Sequence, residues 1–116
     1  MKLRLHANSI RLRLNRDEVA EFVETGRIQD AIHFSGGPRL AYALEVSTEV
    51  EAPRAFLEGD TIRITVPAED AQDWARSDRV GISAIDQQLS ILVEKDFECL
   101  HEPDPTAFPH PDAAHY

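Results

Sequence analysis

The stretch Ile10-Arg11-Leu12-Arg13-Leu14-Asn15-Arg16-Asp17-Glu18-Val19 decides how this chain is read, because its pattern returns 52 positions later as Ile62-Arg63-Ile64-Thr65-Val66-Pro67-Ala68-Glu69-Asp70-Ala71. Each copy opens with five residues that alternate apolar and polar, the period-two mark of a half-buried strand. Each then turns into a helix start. In the first copy Asn15 is an N-cap, with Glu18 at the capping-box position and Asp17 in the first turn, where the helix dipole favours acids. In the second, Pro67 takes the N1 position that proline tolerates, followed by Glu69 and Asp70. Val19, Phe22 and Val23 then fall on one helical face, and Gly26 is placed to end the helix as a C′ residue, which predicts a helix over 16–25. Ala71, Trp74 and Ala75 form the matching face of the second helix. The shift continues without a gap through Phe22 on Trp74, Thr25 on Ser77, and Arg27-Ile28 on Arg79-Val80.

Upstream of this stretch, Leu3, Leu5 and Ala7 alternate with Lys2, Arg4 and His6, and the phase reverses after Asn8-Ser9. A two-residue turn at Asn8-Ser9 would pair Leu5 with Leu12 and Leu3 with Leu14 on one face, and Arg4 with Arg13 and His6 with Arg11 on the other. A bulge in one longer strand is the competing reading. Downstream, strands are expected near 27–34 and 39–46, joined by the turn cluster Ser35-Gly36-Gly37-Pro38. Further strands are expected near 50–56, 79–85 and 89–93, with a turn at Glu58-Gly59-Asp60. The sequence thus reads as an α+β fold, a duplicated β-β-α-β-β unit with halves at about 1–48 and 49–101. Eight mostly antiparallel strands would form one curved sheet, barrel-like if it closes, with two short helices. Residues 102–116 hold Pro103, Pro105, Pro109 and Pro111, so they read as a tail outside the single domain of 1–101.

The 116 residues suit one domain able to bury a core without disulfides. The single cysteine, Cys99, cannot form an intrachain disulfide, no apolar run reaches membrane-spanning length, and the N-terminus lacks a signal-peptide core. A cytoplasmic location is the expectation. A formal charge of −9 argues against nucleic acid or an anionic membrane as general partner. That charge is unevenly spread. Residues 1–16 carry Lys2, Arg4, Arg11, Arg13 and Arg16 and no acid, whereas the rest holds 7 basic groups against 21 acidic ones.

Two candidate sites follow. Lys2, Arg4, His6, Arg11 and Arg13, with Arg63 from the second unit, all fall on the polar side of their strands. If the sheet curls around that side, their side chains converge to bind a small anion or an acidic peptide, for which guanidinium forks are suited. The alternative is a solvated face neutralised by Glu94, Asp96 and Glu98, which share one side of a strand continuing past Val93. The second candidate is a metal site at Cys99, His101, His110 and His115, whose residue types suit zinc but whose spacing matches no standard site.

No nucleophile elbow, zinc-protease helix, phosphate-binding loop or dinucleotide fingerprint is present, and no cofactor is expected. Cys99 lies beside Glu98, which disfavours its thiolate. The function expected from the residues is a non-catalytic binding or accessory module. A protein-interaction module or homodimer, and a metal-dependent enzyme using the acidic or Cys/His cluster, are the alternatives.

Asn8-Ser9-Ile10-Arg11-Leu12-Arg13-Leu14, together with Leu92-Val93-Glu94-Lys95-Asp96-Phe97-Glu98-Cys99-Leu100 and Phe108-Pro109-His110-Pro111, resembles a family of small bacterial proteins of unknown function. That resemblance covers nearly the whole chain and implies no activity. The duplicated layout also looks distantly like the triphosphate-tunnel (CYTH) fold, which implies basic residues lining a barrel. Those enzymes begin with a Glu-x-Glu-x-Lys metal-binding strand, and this chain has no acid before Asp17.

Overall fold

The computed structural model describes residues 1–97. The tail at 102–116, Glu98, and the Cys99, His101, His110 and His115 set lie outside the described residues. In chain order the elements are β1 (Lys2–His6), β2 (Ser9–Leu14), α1 (Arg16–Thr25), β3 (Arg27–His33) and β4 (Arg39–Ser47). The second series is β5 (Arg54–Glu58), β6 (Thr61–Pro67), α2 (Ala68–Arg76), β7 (Gly81–Asp86) and β8 (Leu89–Lys95).

Local chemistry places these boundaries. The Asn15 side chain accepts from the Glu18 N–H at 2.9 Å, and Glu18 Oε1 accepts from the Asn15 N–H at 2.9 Å, closing the capping box of α1. Gly26 ends that helix at φ 81, a left-handed conformation that favours glycine, and donates its N–H to the Phe22 carbonyl at 2.7 Å. Pro67 is the last residue of β6 and the N-cap of α2, one place earlier than its expected N1 role. The fifth strand starts at Arg54 rather than near residue 50, after Pro53, which has no N–H to offer a ladder. The first hairpin turns at Ala7-Asn8, with Ala7 at φ 48, not at Asn8-Ser9. Its register is therefore Leu3 with Leu12, Leu5 with Ile10, Lys2 with Arg13 and Arg4 with Arg11.

The strands do not make one curved sheet or a barrel. They form two four-stranded mixed sheets, β1-β2-β8-β7 and β3-β4-β6-β5. Each sheet takes one hairpin from each half of the chain and joins them through a central parallel pair, β2 with β8 and β4 with β6. A parallel pair needs a long crossover, and the chain between its partners supplies it. The seams between the sheets carry side-chain bridges instead of ladders. Asp86 Oδ2 lies 3.7 Å from Arg54 Nε and accepts from the Ala55 N–H at 3.4 Å across β7 and β5. The Met1 ammonium is held by Glu18 and, at 2.9 Å, by Asp30 of β3, and Tyr42 donates its hydroxyl to the Met1 carbonyl at 3.0 Å.

The element order is the same in both halves, and so are the first-hairpin registers: Leu3 opposite Leu12 matches Ala55 opposite Ile64, and His6 opposite Ser9 matches Glu58 opposite Thr61. After the helices the gapless shift fails. Glu45 and Glu94 occupy matching places opposite Arg27 and Gly81, so Ile28 corresponds to Ile82 and not to Val80. The reason is local: Gly26 leads α1 directly into β3, whereas residues 77–80 separate α2 from β7.

Both sheets turn their apolar faces to one core. Leu12, Leu14, Ile64, Val66, Leu44, Ile82 and Val93 are fully buried there, with Phe22 and Trp74 from the two helices. Those two rings meet edge to face, centroids 6.2 Å apart at 70°. Trp74 Nε1 donates to the Val80 carbonyl at 2.9 Å, so its one polar atom is satisfied inside the core. Burying each large side chain contributes roughly 1.5–3 kcal/mol. With the space inside the sheets filled by the helices, the polar strand faces point outward. Among the described residues the basic side chains line no barrel, since the two sheets do not close into one. Among the described residues no helix is long and apolar enough to cross a membrane.

Candidate functional site on the outer face of the first sheet

The strand registers sort the outer face of the first sheet into rows. Lys2, Arg13, Glu94 and Gly81 make one row; Arg4, Arg11, Leu92 and Ser83 the next; His6, Ser9, Ser90 and Ile85 the last. Five of the six sequence-predicted binding residues are thus brought to one surface. Arg63 is not among them. It stands on β6, on the outer face of the other sheet, so the expected convergence of Arg63 with Arg11 and Arg13 does not occur.

Cations directly opposite one another on neighbouring strands repel, and this face has two such pairs, Lys2 with Arg13 and Arg4 with Arg11. The first pair is neutralised. Asp96 accepts from Lys2 Nζ at 2.8 Å and lies 3.1 Å from Arg13, while Glu94 stands 3.5 Å from Arg13. Burial pushes the Asp96 carboxyl upward, but the Lys2 hydrogen bond and the nearby Arg13 and Arg11 charges outweigh it and hold the carboxyl below its usual range. Arg11 has one carboxylate, Glu94, which accepts from its Nε at 3.0 Å and its terminal nitrogen at 2.5 Å. The acidic strand therefore does act on the arginines, through Glu94 and Asp96. Among the described residues no carboxylate lies within ion-pair distance of Arg4 or His6. The reason is geometric, since at their level β8 presents Leu92 and Ser90 and β7 presents Ser83 and Ile85.

Here the surface forms an open trough of about 540 Å³ lined by Arg4, His6, Arg11, Ser9, Leu92 and Ile85, with Ser83 and Ser90 between. Ile85 is 73% exposed at its border. Leu92 Cδ1 reaches towards Gly81, where an added Cβ would come within 3.1 Å of it. The trough sets two guanidinium groups, one imidazole and three hydroxyls beside an apolar strip.

The matching rows of the second sheet are closed. Arg63 takes the place of Arg11, and Glu45 the place of Glu94, 3.3 Å from it. Where the first sheet has Arg4 the second has Phe56, whose ring lies 4.7 Å from the Arg63 guanidinium, and where it has His6 the second has Glu58, 2.9 Å from Arg63. The Arg63 hydrogen bond holds the Glu58 carboxyl below its usual range, and Glu58 and Glu45 together raise the Arg63 guanidinium further above its already high value. Sequence reasoning named the arginines but missed what surrounds them. The 52-residue shift sets Arg4 on Phe56 and His6 on Glu58, and that mismatch was the available signal. Nothing local in the sequence announces Leu92, Ser83, Ser90 and Ile85, which reach the site through the parallel β2–β8 pairing.

Among the described residues no three His, Cys, Asp or Glu side chains gather to hold a metal ion. No curated protein and no solved structure matches the chain. Residues 1–112 match a family of unknown function (DUF7009), and the chain belongs to that family.

Proposed function

We propose that this protein is a non-catalytic binding module that takes a small anion, or an acidic side chain of a peptide, on the outer face of its first sheet. One observation carries the reading: among the described residues Arg4 stands directly opposite Arg11 without a carboxylate at its level, while the matching position of the second sheet is filled by Phe56. A cation placed against a cation costs stability unless a counter-charge arrives, and an anion supplies it. Lys2 and Arg13, already neutralised by Asp96 and Glu94, set the edge of the site. Arg4, His6 and Arg11 touch the ligand, and Arg63 belongs to the closed counterpart. The same reading takes the two halves as copies of one unit, of which one copy kept its outer face open.

Thermal unfolding of the full chain with acetate, phosphate, citrate or a short acidic peptide tests this. Ligand binding to the folded state raises the midpoint by mass action. A rise that disappears in Arg4→Ala and persists in Arg63→Ala is expected. A rise that persists in Arg4→Ala, or no rise with any anion, would overturn the reading.

A further inference from the structure

We infer that the ligand of this face is a monocarboxylate carrying an apolar body, such as a short aliphatic acid, an inference that rests on the binding reading above. Charge decides the first half. Arg11 is matched by Glu94 at 2.5 Å, so the trough contributes the charge of Arg4, with the His6 imidazole beside it. A polyanion such as a triphosphate or citrate would find too few cations here and would face the carboxylates of Glu94 and Asp96 in the neighbouring row. One planar carboxylate matches one guanidinium fork.

Shape and polarity decide the second half. Beyond the cations the lining is Leu92 and Ile85, separated by the hydroxyls of Ser83 and Ser90. Ile85 is left 73% exposed on a strand whose inward neighbour Ile82 is fully buried, so it contributes little to the core and stands where a ligand's hydrocarbon would rest. The volume of about 540 Å³ is that of a small-molecule site, and such sites combine an apolar wall with a few polar anchors. Gly81 leaves Leu92 room on this wall, because an added Cβ there would come within 3.1 Å of its Cδ1. On the second sheet the equivalents of Leu92 and Ser90 are Ala43 and Ala41, both fully buried.

The test is calorimetric titration of the full chain with acetate, butyrate and hexanoate, and with inorganic phosphate. Affinity is expected to rise about two-fold for each added methylene, a partial share of the full burial increment. Ile85→Ser is expected to flatten that rise, weakening hexanoate more than acetate. Gly81→Ala, which crowds Leu92, is expected to weaken hexanoate more than acetate. Arg4→Ala weakens every carboxylate by a similar factor, about ten-fold. Equal affinities along the series, or phosphate binding tighter than hexanoate, would sink the apolar-body inference and leave the anion-binding reading standing. Binding of no anion, or binding indifferent to Arg4→Ala, would sink both.

Discussion

The outer faces of the two sheets start from the same plan and end differently. On the second sheet Arg63 is enclosed by Glu45, Glu58 and the Phe56 ring, and the face completes itself. On the first, Arg11 has Glu94, and the places of Phe56 and Glu58 go to Arg4, which sets a second guanidinium opposite Arg11, and to His6. The second sheet shows that a central arginine on this scaffold is satisfied by one glutamate from the parallel neighbour and one aromatic–acid pair from the edge strand. The first sheet carries a further cation, Arg4, beyond that pattern. The comparison separates charge that holds the protein together from charge left for something else.

The comparison presumes that the two sheets rest on equivalent cores, and the largest effect tests that presumption. Phe22→Ala and Trp74→Ala should each destabilise by about 3–5 kcal/mol, since each removes a fully buried ring from the same edge-to-face pair. Chemical denaturation measures both. If either costs less than about 1 kcal/mol, the halves do not share one core.

The next effect lies on the closed face. Phe56→Ala removes the ring stacked on Arg63 and Arg54 and should lower stability by about 1–2 kcal/mol. The corresponding change on the open face, Arg4→Ala, should be neutral or slightly stabilising because it relieves the repulsion with Arg11. Equal losses from both would erase the distinction between the faces.

A transplant sharpens it further. Arg4→Phe with His6→Glu gives the first sheet the residues of the second, so Arg11 gains a ring and a second carboxylate. Stability should rise by about 1 kcal/mol, roughly 4–8 °C in midpoint for a domain of this size, and anion binding should be lost. A destabilised double variant would show that the two faces are not interchangeable.

The smallest effect is in acid. Asp96 on the open face and Glu58 on the closed face both titrate below their usual range in the folded protein. Their stabilisation is therefore present above the ordinary carboxylate pKa and is lost as pH falls through the lowered folded values. Asp96→Asn and Glu58→Gln should each flatten the acid limb of a midpoint-against-pH curve and leave the neutral region changed by no more than an exposed ion pair provides. A limb unchanged by Asp96→Asn would mean that its pairing with Lys2 and Arg13 does not persist in solution.

Particular residues show how far the sequence could be read. The capping box at Asn15 and Glu18 and the stop at Gly26 were legible to the residue, because they act within one helical turn. The inward set of Leu12, Leu14, Ile64 and Val66 was legible from alternation alone, since a strand has only two faces. The first turn was misplaced by one residue, because Asn8-Ser9 is good turn chemistry whereas Ala7 adopts its positive φ without a sequence mark. The grouping of the arginines failed for a larger reason. Alternation says which side of a strand a residue faces, but not which strand lies beside it.

The sequence by itself determined two β-β-α-β-β series, the caps of the first helix, the inward faces, and a basic N-terminal hairpin. These follow from contacts between near neighbours along the chain, whose energies do not depend on how the halves meet. Only the tertiary structure decided that β2 lies parallel to β8 and β4 to β6, which puts Arg11 beside Glu94, Arg63 beside Glu45, and Arg4 level with Leu92 and Ser83. Such pairings join strands far apart in the chain and are selected by the shared burial of both apolar faces around Phe22 and Trp74, a property of the assembled core that no single segment encodes.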